Sequence, residues 1–128
     1  VSIDSLAYKG DNVYSDIRNE VLIIRSLMHD HIILYYNEID MEGLYGYSME
    51  FCIEGSLHHH IHSIGPLDED ELKILMRQML SVLEYLAERH IVHRDIKTAN
   101  ILIAKKHYYK LCDFGSSVEL GVFILYLS

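Results

Sequence analysis

Apolar residues recur at a spacing of three to four in two stretches of the chain, and this spacing predicts two amphipathic helices. The first helix covers residues 15 to 28 and the second covers residues 66 to 89. On the first, the apolar face consists of Ile17, Val21, Ile24 and Leu27. On the second, it consists of Leu72, Leu75, Met76, Met79, Val82, Leu83 and Leu86. We interpret the second face as part of a hydrophobic core with no further role.

Polar residues mark the boundaries of the predicted elements. Asp68 can cap the second helix, and Glu71 can reach back to complete a capping box. Residues 32 to 36 and 44 to 51 predict two strands, joined by a polar turn over residues 37 to 43. The pattern therefore places a pair of strands between the two helices.

Two short motifs follow the second helix. The first runs from His93 to Asn100 and matches H-R-D-x-K-x-x-N, and the second is Asp113-Phe114-Gly115. The segment between them has room for only a short hairpin. Asp-Phe-Gly alone is most often an ordinary turn, but both motifs in this order favour a site for phosphoryl transfer.

The residue types in these motifs suit that chemistry. Phosphoryl transfer passes through a loose transition state, so a protein mainly positions the reactants and neutralises charge on the phosphate oxygens. Asp95 would orient the substrate hydroxyl or accept its proton, and Lys97 would place a positive charge beside the transferred phosphate. Asn100 and Asp113 would supply oxygen ligands to Mg²⁺, a metal that prefers hard oxygen donors.

Together the motifs resemble the catalytic domain of eukaryotic protein kinases of the serine/threonine type. Lys97, placed shortly after Asp95, carries the serine/threonine assignment, and the run from Gly55 to Ser117 is similar to the mitogen-activated protein kinase kinase kinase group. The resemblance implies ATP and Mg²⁺ as cofactors. It also implies transfer of the γ-phosphoryl group to a protein hydroxyl, with Asp95 as catalytic base and another kinase as one candidate substrate.

The resemblance implies an α+β chain with part of a bilobal fold. Residues 1 to 53 would form a partial β-rich N-lobe with one helix and the hinge. Residues 54 to 117 would form a partial, largely helical C-lobe that carries the catalytic loop. Residues 118 to 128 would form an atypical apolar tail.

The same resemblance implies roles for two further charged residues, Glu20 and Arg94. Glu20 would pair with a lysine on a neighbouring strand and so position that lysine against the ATP phosphates. Without the resemblance, a lone glutamate on a helix is usually a solvated surface residue. Arg94 would meet a phosphate on the activation segment.

A nucleotide site is also implied by the resemblance. Met49 would be the gatekeeper, and the main-chain groups of Glu50 and Cys52 would bind the adenine. Leu102 would contact the adenine from below, and Ser56 would lie near the ribose. An interpretation of Leu102 as an ordinary core residue fits equally well.

Parts of the family pattern do not occur between Val1 and Ser128. The sequence has no Gly-rich phosphate loop before Glu20, no V-A-I-K-like strand and no A-P-E motif. Lys9 is too close to Glu20 to serve as the strand lysine. We therefore expect the chain to be truncated at both ends and the isolated 128-residue chain to show little or no activity. The alternative is a catalytically inactive kinase-like fragment that acts at most as a binding module.

Composition is that of part of a globular domain. Hydrophobic residues make up 50% of the chain, and the net charge of −8 argues against binding of nucleic acid by bulk electrostatics. The apolar residues 121 to 128 are too few for a membrane span, which takes about 20. The sequence shows no signal peptide, so we expect a cytoplasmic protein without a membrane partner.

Cysteine and histidine residues leave two interpretations open. Cys52 and Cys112 fit reduced thiols better than a disulfide framework. Cys112 is either a small buried residue, which we favour, or a residue that faces the nucleotide pocket. His58 and His62 have the helical spacing of metal ligands, but no cysteine or acidic residue nearby completes a tetrahedral shell. We favour a solvated helix start at these histidines.

Overall fold

The computed structural model describes residues 2 to 8 and 12 to 121. Three helices and seven strands in this part confirm the predicted α+β class. In chain order they are β1 (Ser2–Tyr8), α1 (Asn12–Ile24), β2 (Tyr35–Met41), β3 (Leu44–Met49), α2 (Leu57–Ile64), α3 (Glu69–Glu88), β4 (Ile91–Val92), β5 (Ile101–Lys105), β6 (Tyr108–Leu111) and β7 (Val118–Glu119). A short 3₁₀ turn, Thr98–Asn100, precedes β5. Lys9 and residues 122 to 128 of the predicted tail lie outside the described residues.

The N-terminal half is built on a three-stranded antiparallel sheet in the order β1-β3-β2. Because β3 is central, its residues Tyr45, Tyr47 and Met49 are buried. Helix α1 packs against this strand, and the ring of Tyr14 meets the ring of Tyr45 edge to face at 5.1 Å. Helix α1 is therefore packed on the tyrosine side chains of the central strand.

The predicted polar turn over residues 37 to 43 is wrong. Residues 37 to 41 belong to β2 and pair with β3, and the turn is confined to Glu42 and Gly43, where Gly43 has a φ of +78°. Strand β2 lies at the sheet edge with most of its side chains exposed, so polar residues are tolerated there. The first predicted strand therefore lies too early in the chain.

Helix α1 occurs close to its predicted position but ends earlier. Ile17, Val21 and Ile24 are buried as predicted, whereas Leu27 is buried beyond the end of the helix. The N–H of Leu27 donates to the carbonyl of Ile24 at 3.1 Å, a bond three residues back that tightens the last turn. The apolar spacing therefore continues past the point where the regular helix stops.

Helix α3 begins where its cap predicts. The Asp68 carboxylate accepts a hydrogen bond from the backbone N–H of Glu71 at 2.8 Å, which confirms Asp68 as the N-cap. The capping box is wrong, because the Glu71 carboxylate contacts the Tyr109 hydroxyl and the His107 ring instead. These contacts attach the start of α3 to the β5-β6 hairpin.

The apolar stripe of α3 is wider than the face that the described residues cover. Its buried members are Leu75, Met79, Val82 and Leu86. Leu72, Met76 and Leu83 are exposed, and Leu80 on the same side is 57% exposed. The interpretation of the stripe as core is therefore right for one side of α3 and wrong for the other.

The segment between the two motifs forms the predicted hairpin. Strands β5 and β6 are antiparallel, with Ile101 opposite Leu111. On its other side Leu111 donates to the carbonyl of His31 at 2.8 Å and accepts from the N–H of Ile33 at 2.9 Å. The hairpin is therefore attached to the segment that follows α1. None of the three described helices combines the length and apolar character that a bilayer crossing requires.

We predict that a leucine-to-alanine substitution lowers the free energy of unfolding by different amounts on the two sides of α3. Leu86 is 1% exposed, so we expect Leu86→Ala to lower the free energy of unfolding by about 2–5 kcal/mol through lost burial and a cavity. The matched control Leu80→Ala lies on the exposed side and should cost less than about 1 kcal/mol. Urea unfolding of both variants measures the difference. Equal costs would contradict the assignment of the buried side.

Candidate active site

His93 is the first residue of the first motif, and sequence reasoning gave it no role of its own. Its ring is buried and packs edge to face on Phe114 at 4.8 Å. Nδ1 accepts a hydrogen bond from the backbone N–H of Asp95 at 3.1 Å, so Nε2 is the nitrogen that donates to the Cys112 carbonyl at 3.0 Å. His93 therefore fixes the backbone of Asp95 relative to the second motif.

The Asp95 carboxylate is held by two neighbours from the same loop. Oδ2 accepts from Asn100 Nδ2 at 3.0 Å and pairs with Lys97 Nζ at 3.2 Å. Asn100 Nδ2 also donates to the Asp95 carbonyl at 2.9 Å. The hydrogen bond from Lys97, followed by that from Asn100, lowers the pKa of Asp95. Since the Asp95 side chain is 33% exposed, a carboxylate is presented in a fixed position to solvent.

The second motif places Asp113 beside this loop. The backbone N–H of Cys112 donates to the Asn100 carbonyl at 2.9 Å, which places Asn100 against the residue that precedes Asp113. Asn100 Nδ2 is a donor to Asp95, so the amide oxygen is the atom of Asn100 that suits a cation. One carboxylate and one amide oxygen form a donor set that fits Mg²⁺.

Gly115 lies close to two carboxylates at the second motif. A Cβ added there would lie 3.2 Å from Asp113 Oδ1 and 3.7 Å from Glu20 Oε2. The N–H of Gly115 donates to Asp113 Oδ1 at 3.3 Å. Asp113 itself has a φ of 58°, a conformation that aspartate tolerates better than most residues. Phe114, 1% exposed, anchors the turn in the core.

Glu20 is brought to the site and is not a solvated surface residue. Its carboxylate is buried, and Oε1 accepts from the Tyr47 hydroxyl at 2.9 Å and from the backbone N–H of Phe114 at 3.1 Å. Burial raises the pKa of Glu20, and the nearby charge of Asp113 acts in the same direction. Helix α1 is therefore joined to the second motif through a carboxylate.

The predicted hinge follows β3. Met49 is buried at the end of the strand, the N–H of Glu50 donates to the Leu34 carbonyl at 2.8 Å, and the carbonyl of Cys52 accepts from Gly55 at 3.1 Å. An adenine bound along this segment would therefore meet the other main-chain groups, the Glu50 carbonyl and the Cys52 N–H. This arrangement offers one acceptor and one donor.

The other residues predicted to contact the nucleotide are Ser56 and Leu102. Ser56 forms an isolated bridge with Leu102, and the N–H of Ile103 donates to the Gly55 carbonyl at 2.9 Å. The Ser56 hydroxyl accepts from the N–H of His59 at 3.2 Å and caps α2. Leu102 is partly buried against the core, so both interpretations of this residue stay compatible with its position.

Arg94 contacts the chain that follows the second motif. Its Nε donates to the carbonyl of Ser116 at 2.6 Å, and its backbone φ is 68°. The side chain therefore links the catalytic loop to the main chain just after Asp-Phe-Gly. The predicted contact of Arg94 with a phosphate stays a prediction.

The cysteines and the histidine-rich helix start are distinct from the motif residues. Cys52 and Cys112 are both buried and form no disulfide among the described residues, and burial raises the pKa of Cys52. His58 and His62 stack in α2 with ring centroids 4.2 Å apart. Among the described residues, no group of three or more histidine, cysteine or acidic side chains is placed to hold a metal ion.

Lys110 was missed by sequence reasoning, because its signal is a tertiary contact. Its ammonium Nζ lies 2.7 Å from Glu50 Oε2, and the same oxygen accepts from the N–H of Leu34 at 3.2 Å. Both side chains are largely buried. The pair joins the predicted hinge to β6, the strand that leads into Asp113.

Comparisons of the sequence with known proteins find a protein family and individual relatives. The family model described as "Protein kinase domain" matches residues 4 to 122. The chain is similar to MAP kinase kinase kinase wis4 of Schizosaccharomyces pombe, with 40% identity over 82% of the chain. It is 34% identical over 84% of its length to human mitogen-activated protein kinase kinase kinase kinase 3. SNF1-related protein kinase catalytic subunit alpha KIN12 of Arabidopsis thaliana is 39% identical over 85% of the chain.

These relatives are much longer than this chain. It spans 8% of wis4, 12% of the human protein and 22% of KIN12. The stretch that the family model matches includes both motifs, and the similar proteins include mitogen-activated protein kinase cascade members and an SNF1-related kinase. The predicted resemblance to serine/threonine protein kinases, including the mitogen-activated protein kinase kinase kinase group, is therefore confirmed.

The contact between Glu50 and Lys110 predicts a measurable cost when it is broken. We expect Lys110→Met to lower the free energy of unfolding by about 1–3 kcal/mol, because Glu50 loses its partner in a largely buried position. The control Lys73→Met breaks an exposed pair with Glu69 and should cost at most about 0.5 kcal/mol. Urea unfolding compares the two. Equal, small costs would show that the buried pair adds no stability.

Proposed function

Because the chain belongs to the protein kinase family, we propose that the full-length protein transfers the γ-phosphoryl group of Mg-ATP to a serine or threonine hydroxyl of a protein substrate. The observation that carries the proposal is the arrangement of the two motifs. Asp95, held by Lys97 and Asn100, lies next to a loop that presents Asp113.

Asp95 is the proposed catalytic base. Its lowered pKa keeps it a carboxylate, which can accept a hydrogen bond from a substrate hydroxyl and then take the proton as the phosphoryl group is transferred. His93 and Asn100 hold its backbone in place. The group is thus positioned before substrate binds, which lowers the entropic part of the barrier.

Lys97 and the two oxygen donors are the proposed phosphate-binding groups. Lys97 Nζ, exposed beside Asp95, is placed to contact the transferred phosphate. Asn100 Oδ1 and the Asp113 carboxylate would hold Mg²⁺. When bound, Mg²⁺ supplies positive charge against the phosphate oxygens. Glu20 would complete the site by its predicted pairing with a strand lysine.

The nucleotide is proposed to bind between two lobes. Residues 1 to 53 form the smaller part and residues 54 to 117 the larger part, joined at the hinge. Met49 would lie behind the adenine, and the Glu50 carbonyl and Cys52 N–H would be its hydrogen-bonding groups. Two of the similar proteins are named as kinases that act on other kinases. This similarity supports another kinase as the substrate.

A second candidate function is protein binding without catalysis. It is favoured by the exposed apolar side of α3, formed by Leu72, Met76, Leu80 and Leu83. Binding of a partner protein to this surface would require no phosphoryl transfer. A phosphotransfer assay separates the two candidates, because only the first requires Asp95 and Asp113.

The proposal predicts loss of activity when either motif carboxylate is neutralised. We expect Asp95→Asn and Asp113→Asn each to reduce phosphate transfer from Mg-ATP to serine or threonine peptides by at least about 100-fold. The same assay with EDTA should abolish transfer, and added Mg²⁺ should restore it.

Asp16→Asn is the matched control, since Asp16 is exposed on α1 and distant from both motifs in the chain. It should retain wild-type rates. Transfer by the Asp95→Asn variant at the wild-type rate would contradict the proposed base. A full-length protein without any transfer activity would favour the binding function.

A further inference from the structure

The hydroxyl of Tyr47 lies where three parts of the molecule meet. Tyr47 is 3% exposed in β3, and its hydroxyl donates to Glu20 Oε1 on α1 at 2.9 Å. The same oxygen accepts from the backbone N–H of Phe114 at 3.1 Å. One carboxylate oxygen therefore connects the central strand of the sheet, a helix and the second motif.

Burial makes these two donors energetically important. Taking a carboxylate out of water is costly unless hydrogen bonds replace its hydration. Burial and the charge of Asp113 raise the pKa of Glu20, whereas the hydrogen bonds from Tyr47 and Phe114 lower it. Between residues 12 and 121, the structure contains no ion pair of Glu20 with a lysine or arginine. In that range the hydroxyl is the side-chain donor that stabilises the carboxylate.

Tyr47 is held in place by the sheet, whereas Glu20 is part of α1. Tyr47 pairs with Ser5 of β1 on one side and with Glu38 of β2 on the other. Its ring also lies 6.2 Å from the ring of Tyr35. The position of the hydroxyl is therefore set by the central strand, and the hydroxyl defines where the Glu20 carboxylate comes to rest.

We propose that Tyr47 is a positioning residue whose hydroxyl holds Glu20 against the main chain of Phe114, and so keeps α1 and Asp113 in one arrangement. This inference rests on the proposed kinase function and adds a residue to its site. Tyr47 is 3% exposed, so it acts through the residues that pack around it. Its effect passes through Glu20 to the turn that presents Asp113.

The test is Tyr47→Phe in the full-length protein, because this change removes the hydroxyl and keeps the buried ring. We expect kcat to fall by about tenfold, with the KM for ATP changed by less than about twofold. Hydrogen exchange should become faster in the peptide that contains the Phe114 amide, since Glu20 is no longer held against that N–H.

Tyr45→Phe is the matched control. Tyr45 is also buried, two positions earlier on the same strand, and its hydroxyl interacts with Glu38 instead of Glu20. It should lower the melting temperature by a similar amount and leave kcat and exchange at Phe114 unchanged. A purely structural role for Tyr47 would make the two variants alike in every readout.

A double-mutant cycle with Glu20→Ala, which removes the acceptor oxygen, shows whether Tyr47 acts through Glu20. In the Glu20→Ala background, Tyr47→Phe should change kcat by less than about twofold. A full tenfold loss in that background would overturn the inference, and so would a Tyr47→Phe variant that matches Tyr45→Phe. If the wild-type protein shows no transfer, the proposed function fails, and the exchange of the Phe114 amide alone decides whether Tyr47 positions Glu20.

Discussion

The main-chain pairing of Leu111 on both of its sides is the interaction on which the site depends. One side completes the β5-β6 hairpin opposite Ile101, and the other bonds to His31 and Ile33. The hairpin holds the two motifs at the same end because they flank it directly. The second set of bonds attaches that end to the segment after α1. A strand that is paired on both sides at Leu111 thus determines where Asp113 stands relative to both halves of the chain.

The site arranges three carboxylates by giving each a different environment. Asp95 is partly exposed and has Lys97 and Asn100 as donors, so its pKa falls. Glu20 is buried among uncharged donors, so its pKa rises. Asp113 is exposed in the turn of the second motif. Carboxylates with different environments can take different roles within one site, which is the physical basis of the proposed division between base, metal ligand and positioning group.

Local signals allowed a large part of the fold and of the candidate site to be predicted. The residues of each motif are adjacent in the chain, so their proximity needed no tertiary information. The cap at Asp68 is also local, because its partner is the N–H of Glu71 in the first turn. Predictions failed where a neighbour from another element decided the outcome. Strand β2 forms because β3 lies beside it, and its polar residues carry no strong strand pattern.

The sequence by itself determined the motif residues, their order and the buried side of α1, because short-range spacing specifies these. Only the tertiary structure decided that Tyr47 and Phe114 share one oxygen of Glu20, and that Lys110 pairs with Glu50. It also decided which side of the apolar stripe on α3 is covered. These outcomes depend on contacts between residues far apart in the chain. The physical reason is that spacing along one helix or strand defines a face, whereas the partner of that face is set by how separate elements pack.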